Sequence, residues 1–550
     1  STYNPLIGGT LWQTLPITLD DIHSIEVVRG PNAATYGANS FSGVINIKTY
    51  SALEPDGTQV SLAYGPQREL KRIRAIHDDR YQDIGYRLTF EYEDNKGFPD
   101  AYREKNDVTQ IPILEINDDM KKLLLNSQFE FSQNNLSHNF EFGIVNQELG
   151  MEYDKLGFVG IPVSYKDIFS MYGQYTLNQQ VNLLTTNKLK IAHNYTDFDN
   201  KIYSEDGDHK PNTRPNPPAI PDIGVPNFDG HPVNTSKSFE SHRLDLDLSQ
   251  SKILSPGFQY VWGGGMRYDY GSSKDYFKSG SEDRFSARLN AHMEWKALDQ
   301  LTLNLGGLYE YYEDLDAFLS PRAAANIHLT NNQTIKTSWS RAYRMPTLID
   351  QYANLYNYDN ATGLLHDWDT VGNPDIEAEE IESLELGYIG NFFERKLVVD
   401  LRLAKEKIKN VIEQPKTPSG KRNLAFPRWR IINFGIMEID SAELDITIRP
   451  TKDTFIKAYG AYANAYGERA KESSDNSFTP NPSKILTDVD AYVPLFSSGF
   501  LVSHSLNENL RISAQYNYVD AYTTSGEGDE IDRLETFDIK LSKSFNTGDK

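Results

Sequence analysis

From about residue 58 onward, apolar and polar residues alternate strictly in segment after segment. In Tyr86-Arg87-Leu88-Thr89-Phe90-Glu91-Tyr92 one face carries Tyr, Leu, Phe and Tyr, and the other Arg, Thr and Glu. Leu244, Leu246 and Leu248 alternate with Arg243, Asp245, Asp247 and Ser249, and Ala442, Leu444, Ile446 and Ile448 with Ser441, Glu443, Asp445 and Thr447. A period of two belongs to a strand whose side chains point to opposite faces, so each segment predicts a strand with one apolar and one hydrophilic face. Short polar turns recur near Asp79–Asp83, Ser132–Ser137, Asn178–Gln180, Ser255–Gly257, Leu298–Gln300, Asn331–Gln333, Asn391–Glu394, Thr451–Asp453 and Asn507–Asn509. Between them run long connections, at about Asn95–Met120, Asp199–Lys237, Met345–Glu379, Asn410–Ile432 and Glu468–Pro482. Tight turns at one end and long loops at the other predict a large antiparallel transmembrane β-barrel of about 20 strands rather than a sandwich. So wide a barrel has an open lumen unless something fills it. The first residues break the alternation, with β-like pieces at Ser24–Arg29 and Gly43–Thr49 between Gly/Pro/Asn-rich turns. The expected organisation is all-β, with residues 1–57 as part of a plug domain in the lumen and 58–550 as the barrel.

Composition narrows the class. The chain has 550 residues, a formal net charge of −22 and no cysteine. The charge is of the wrong sign for gripping nucleic-acid phosphates. Zero cysteines exclude disulfide frameworks, zinc–thiolate sites, iron–sulfur clusters and Cys nucleophiles. With a mean hydropathy of −0.56, no window approaches the 18 or so apolar residues of a membrane-spanning helix. The 33 Tyr, 26 Phe and 6 Trp suit a surface that is wet at one end and apolar at the other. No Gly-x-Ser-x-Gly, phosphate loop or His-Glu-x-x-His is present, and the scattered His residues lack ligand spacing, so no enzyme, resident metal or cofactor is expected.

Asp20-Asp21-Ile22-His23-Ser24-Ile25-Glu26-Val27-Val28-Arg29-Gly30-Pro31, followed by Tyr36-Gly37-Ala38-Asn39-Ser40-Phe41-Ser42-Gly43-Val44-Ile45-Asn46-Ile47, resembles the plug signature of TonB-dependent outer-membrane receptors. Ser340-Arg341-Ala342-Tyr343-Arg344-Met345-Pro346, Gly372-Asn373-Pro374-Asp375-Ile376 and Glu385-Leu386-Gly387-Tyr388 resemble that family's barrel motifs around one large external loop. The resemblance implies a 22-stranded barrel in the outer membrane of a Gram-negative bacterium. It implies active import of a scarce ligand, powered through TonB and a contact box upstream of Ser1. Ferric siderophore is the leading cargo; haem, cobalamin or an oligosaccharide are alternatives, and a passive porin is the rival class. Because the chain starts mid-plug and stops about one hairpin short of the family's strand number, the expectation is a fragment whose barrel stays open.

Candidate residues follow. Alternation turns Glu385 and Glu443 inward, and Arg29 lies in the plug, so Arg29 is expected to pair with one or both carboxylates and hold plug to wall. Tyr3 and Trp12, in a loop read as a plug apex facing outward, are candidate ligand contacts. Tyr343, Arg344, Tyr352, Tyr356 and Trp368, in or beside the large loop, suit an aryl, anionic ferric chelate. His366 is a metal contact only if haem is the cargo. Glu377, Glu379, Glu380 and Glu382 read as solvated loop charge, and acidic loops are expected to bridge divalent cations with lipopolysaccharide. A monomer in outer-membrane lipid is expected.

Overall fold

The structure, a computed structural model, describes residues 3–36, 40–54, 57–97, 119–151, 162–204, 233–234, 237–359, 365–414, 427, 429–433, 435–468, 493–523 and 530–544. Twenty antiparallel strands, each paired with its neighbours in the chain, form a closed barrel that runs from Gly57–Gly65 to Leu534–Lys543. The alternation is read out directly in burial. Leu244, Leu246 and Leu248 are 47, 37 and 57 % exposed, whereas their neighbours Arg243 and Asp245 are 3 and 2 % exposed. Apolar side chains therefore face out and charged ones face in, the inverse of a water-soluble domain. No helix among the described residues is long and apolar enough to cross a membrane.

Tight turns close one end, with terminal pairs such as Tyr81↔Ile84 and Gln133↔Leu136. The other end carries the long connections. Strands vary from 9 residues at Gly57–Gly65 to 21 at Pro162–Asn182. Since about 9–11 tilted residues cross the hydrocarbon, the longer strands project beyond it. At this end Val233–Asn234, Asn354–Asp359, Leu365–Val371 and Trp429–Arg430 assemble a small four-stranded sheet from three different connections.

The closed ring corrects the expectation of an open barrel. An even number of antiparallel strands brings the last beside the first in the right direction, so twenty suffice for closure. The seam strands carry the least cover: Leu62 and Tyr64 are 78 and 69 % exposed, and Phe537 and Ile539 66 and 67 %.

The N-terminal segment lies in the lumen. Its hairpin pairs Ile22–Arg29 with Gly43–Thr49, and the intervening helix Ala33–Tyr36 packs on the wall. There Ala33 and Phe41 join Leu308, Ala342, Ile381 and Ile408 in one apolar cluster. Asn126 donates to the carbonyl of Pro16 (2.7 Å) and Arg322 to that of Pro31 (3.2 Å). The end of the segment passes so close to the wall that a Cβ on buried Gly85 would run into the backbone of Ala52. Gly85→Val should therefore push residues 51–54 off the wall at a cost of about 1–3 kcal/mol. Limited proteolysis should then cut within Ser51–Glu54, while a wild-type cleavage pattern would show that the contact does not seat the plug.

Candidate functional site: the plug–wall contacts and the plug apex

Arg29 ends its strand because the next residue, Gly30, turns the chain at φ +72°, a conformation suited to glycine. A Cβ on Gly30 would also collide with the Glu385 carboxylate and lie 3.1 Å from Arg402. This close approach delivers Arg29 to the inner wall. Its Nη1 donates to Glu443 Oε2 (2.8 Å) and its Nη2 to Asp400 Oδ2 (3.4 Å). Glu385 does not touch Arg29. It accepts from Arg402 Nη2 (2.7 Å), and Arg402 Nη1 also donates to Glu443 Oε1 (2.7 Å). Glu406 accepts a longer bond from Arg402 at 3.3 Å. Arg29, Glu385 and Glu443 thus belong to one network whose centre, Arg402, and whose further acids, Asp400 and Glu406, are not apparent from the sequence. Water reaches this network: Arg29 is 34 % exposed. Beside it lies a void of about 360 Å³ lined by Glu443, Asp445, Lys457, Tyr459 and Gln515.

A second contact is drier and was missed by sequence reasoning. Asp21, 2 % exposed, accepts from Thr89 Oγ1 (2.7 Å) and Arg87 Nε (3.1 Å) on the wall. It also accepts from Thr18 N and Oγ1 (2.9 and 2.8 Å), which closes a capping box on the turn Leu19–Asp21. Asp20 pairs with Arg74, which also holds Glu91, and Arg87 reaches Asp78. The signal was present. Two consecutive acids open the plug motif, and Arg74 and Arg87 fall on the inward parity of their strands; a buried charge needs a partner.

At the long-loop end the apex does not face outward. The turn between Tyr3–Asn4 and Gly9–Thr10 is covered from outside by the helix Leu348–Tyr352. Leu6, fully buried, packs with Phe239, Phe277 and Leu348, flanked by Tyr276 and Tyr352. Leu348 N donates to the Pro5 carbonyl (3.2 Å), and Arg284 Nη1 tethers the loop at the Pro346 carbonyl (2.7 Å). The cause is the apolar Leu6, which an outward apex would leave in water. Tyr3 is held by Arg243, whose Nη1 donates to its carbonyl (3.0 Å) and whose guanidinium lies 5.1 Å from its ring. Burial raises its phenol above the ordinary value. Burial likewise raises the Asp350 carboxyl, against the Thr347 hydrogen bonds that lower it. It pushes the Tyr276 phenol up to about 12, with Asp275 and Asp369 adding to the effect. A cavity of about 50 Å³ beside Tyr3, bordered by Asn4, Thr14, Tyr172, Asn194 and Arg243, admits only solvent-sized molecules.

The remaining candidates separate. Trp12 is 54 % exposed in the turn Trp12–Thr14, against the wall strands Leu136–Met151 and Pro162–Asn182. Tyr352 donates a long bond to Asp314 (3.4 Å). Tyr356 and Trp368 stack in the loop sheet with centroids 5.8 Å apart, and the Trp368 indole N–H is buried without a hydrogen-bond partner. Arg344 is paired through its Nε with buried Glu379, and its side chain remains 36 % exposed. Tyr343 donates to Glu380 (3.0 Å). The loop acids are consequently not free charge: Glu379 and Glu380 are taken up as described, Glu382 pairs with Arg341 and Glu377 accepts from Asn410 (2.8 Å). Strand pairing brought these cations opposite them. The His366 side chain lies outside the described residues, and among those no group of three or more metal-ligating side chains is assembled.

A wide, inwardly polar barrel whose lumen holds a separate N-terminal domain, seated by ion pairs and covered by loops, is a plugged transmembrane barrel. The family model described as "TonB dependent receptor-like, beta-barrel" matches residues 23–549, and the chain belongs to that family of outer-membrane transport receptors. A mutant of the ferric enterobactin receptor PfeA from Pseudomonas aeruginosa superposes with a TM-score of 0.72 at 15 % identity, over 100 % of this chain and 82 % of that one. The siderophore receptor PirA from Acinetobacter baumannii gives 0.68 at 13 % identity over 96 and 79 %. The ferric-catecholate import receptor Fiu from E. coli gives 0.68 at 12 % over 96 and 81 %. At such identities the likeness is one of fold. A short stretch of 62 residues is 37 % identical to the vitamin B12 transporter BtuB of Vibrio vulnificus, 11 % of this chain and 10 % of that protein.

The two plug–wall contacts differ in burial and so in expected weight. Arg29→Ala removes a half-wet ion pair worth about 1.5–3 kcal/mol. Asp21→Ala takes one of two carboxylate partners from buried Arg87 and unmakes the Thr18 and Thr89 hydrogen bonds, and should cost about 3–5 kcal/mol. Single-channel conductance in planar bilayers should therefore rise with either variant and rise more with Asp21→Ala; wild-type conductance in both would remove these contacts from plug retention. For Tyr276, the folded protein holds the phenolic proton where the unfolded chain, near pH 10, releases it. Its stabilising contribution is present below that pH and is lost as pH rises through about 12. The difference in 295 nm absorbance between wild type and Tyr276→Phe should titrate near 12; a midpoint at 10 would place the ring in water.

Proposed function

We propose that this chain is a TonB-dependent transporter that binds a scarce extracellular ligand, most simply a ferric siderophore, and carries it across the outer membrane of a Gram-negative bacterium. The observation that carries the reading is the plug held in the lumen by buried ion pairs on one side and hydrated ones on the other, since a passive pore has no use for a domain bolted into its channel. The ligands of the structural neighbours, ferric siderophores by their names, support the cargo. A scavenging receptor needs nanomolar affinity, about −12 kcal/mol, and at ordinary association rates such a ligand leaves slowly. Work relayed by TonB to the plug supplies the release. Arg29, with Glu443 and the Arg402 bridge to Glu385, acts as the wet latch that yields first, while Asp21 keeps the other flank seated. Tyr3, Trp12, Tyr352, Tyr356 and Trp368 are the ligand-contacting set, with the unpartnered Trp368 N–H as a donor. Tyr343 and Arg344 belong to the set as well, their polar ends shared with Glu380 and Glu379. The stretch shared with a vitamin B12 transporter favours cobalamin as the second reading.

Uptake decides between them. Cells expressing the full-length gene should accumulate radiolabelled iron from one of a panel of ferric siderophores, saturably at nanomolar concentration, and lose the uptake on addition of a proton uncoupler. Uptake indifferent to the uncoupler would make the protein a passive pore; labelled cobalamin entering in place of iron would replace the cargo and keep the mechanism.

A further inference from the structure

The void beside Arg29 does not end at the plug. It shares Leu501 in its lining with a second, of about 730 Å³, that continues along the inner wall to the tight-turn end. Five strands make the wall here: Leu397–Lys409, Ile436–Thr451, Thr454–Glu468, Phe496–Asn507 and Leu510–Val519. Their registers set the inward residues in rows. Level with Arg29 stand Arg402, Glu443 and Ala461, and one row down Asp400, Asp445, Tyr459 and Gly499. The next row reads Val398, Thr447, Lys457, Leu501 and Gln515, and below it come Phe455, Ser503 and Ser513. The acids of these rows all lie beside the plug, where Arg29 holds Asp400 and Glu443 and Lys457 holds Asp445 (2.8 Å).

Toward the turns the sign reverses. Arg395, Lys396, Arg449, Lys452 and Arg511 border the larger void, five cations against the two acids Glu394 and Asp453. All five are exposed, and among the described residues none of them forms an ion pair. Arg449 lies over the Phe455 ring (5.1 Å), and Arg511 Nε donates to Ser505 Oγ (3.3 Å). The Arg449 N–H donates to the Lys396 carbonyl (2.7 Å), which sets these two like charges side by side on adjoining chain segments. Such neighbours repel. The turn that presents Arg395 and Lys396 carries strain as well: Phe393, Glu394 and Arg395 follow one another at φ 52, 57 and 67°, left-handed positions unfavourable for any residue with a Cβ. In a chain of net charge −22, an uncompensated knot of cations around a void is matched by an anionic occupant.

We infer that this void is a binding site for a multiply anionic chelate, held at the tight-turn end of the lumen by Arg449, Lys452 and Arg511 with Arg395 and Lys396 beside them. That the chelate is the ferric siderophore released from the plug rests on the function proposed above; that it is an anion rests on the charges alone. The volume lies within the about 300–1,000 Å³ of small-molecule sites. Guanidinium forks suit the paired oxygens of catecholate and carboxylate ligands, and the hydroxyls of Ser503 and Ser513 line the wall between them. A ligand freed on the hydrated side of the plug meets a positive potential toward the exit, and salt screening at these exposed cations keeps the hold weak enough to let it go.

The chain has no cysteine, so Thr451→Cys, at the rim of the void, gives a single attachment point for a fluorophore in the full-length protein in detergent micelles. The probes are a ferric tris-catecholate, which is a trianion, and a neutral ferric tris-hydroxamate, whose iron quenches the dye equally well. The trianion should quench saturably, at least about tenfold more tightly than the neutral complex, and its hold should weaken as salt rises. Arg449→Gln/Lys452→Gln/Arg511→Gln should lose roughly tenfold to a hundredfold in that affinity. Arg80→Gln/Lys296→Gln, at other turns of the same end, should quench like the parent. Equal affinity for trianion and neutral complex, no saturable quenching, or an unaffected triple variant would each overturn the site, and the first two need no further variant to fold. Uptake of the ferric tris-catecholate by cells without saturable quenching would overturn the site and leave the cargo; saturable quenching without uptake of any ferric siderophore would overturn the cargo and leave an anion site.

Discussion

Hydrocarbon offers no hydrogen-bond partner to a peptide group, and the architecture of this protein descends from that constraint. A strand that crosses lipid needs a partner on both sides, and the order of the twenty strands accordingly runs round a closed ring. Closure at that size makes the lumen wide, and a wide lumen turned away from lipid is wet and polar. The apolar core of an ordinary domain is therefore absent from the centre. What replaces it is a lattice of ion pairs along the inner wall, such as Arg243 with Asp269 (2.6 Å) and Arg267 with Asp245 (2.8 Å), onto which the plug is added.

The plug is held by charge as well as by apolar packing, and unevenly. On the side of Asp20 and Asp21 the contact is dry, shared among Thr89, Arg87 and Arg74, and satisfied by a capping turn. On the side of Arg29 it is reached by water and bordered by a void. In a low-dielectric pocket, parting two charges is costly; where water can enter, solvation of the separated partners offsets much of the loss. A domain fastened in this way has a firm side and a yielding side, which suits the transport cycle proposed above. The apex is fastened differently again, by the burial of Leu6 beneath the loop helix, so that the outer cover and the plug form one packed unit.

The outside of the barrel obeys the same constraint from the other direction. Apolar rows face lipid up to the level of Leu386 and Leu403, and charge begins in the next row, where Lys405 and Asp440 stand beside Leu384 and Trp339. Residues that the amino-acid order presents as a run of loop acids, Glu379 to Glu382, belong instead to two environments. Glu379 points into the lumen toward Arg344, while Glu380 and Glu382 point outward toward Lys409 and Arg341.

By itself the sequence determined everything that follows from a period of two and from short-range order. Alternation settled strand type, strand number, which face of each strand meets lipid, and the inward aim of Glu385 and Glu443, because side-chain direction in a strand depends only on parity. The motif around Arg29 and Gly30 marked the plug. Which charges meet was decided only by the tertiary structure. Arg402 as the bridge between Glu385 and Glu443, the grip of Arg87 on Asp21, the capture of Arg344 by Glu379 and the cover over Leu6 each join residues dozens to hundreds of positions apart. Their meeting depends on strand register and on how the plug is turned within the lumen. A strand's own residues state which way its side chains point, and only the neighbouring strands and the packed plug state what they point at.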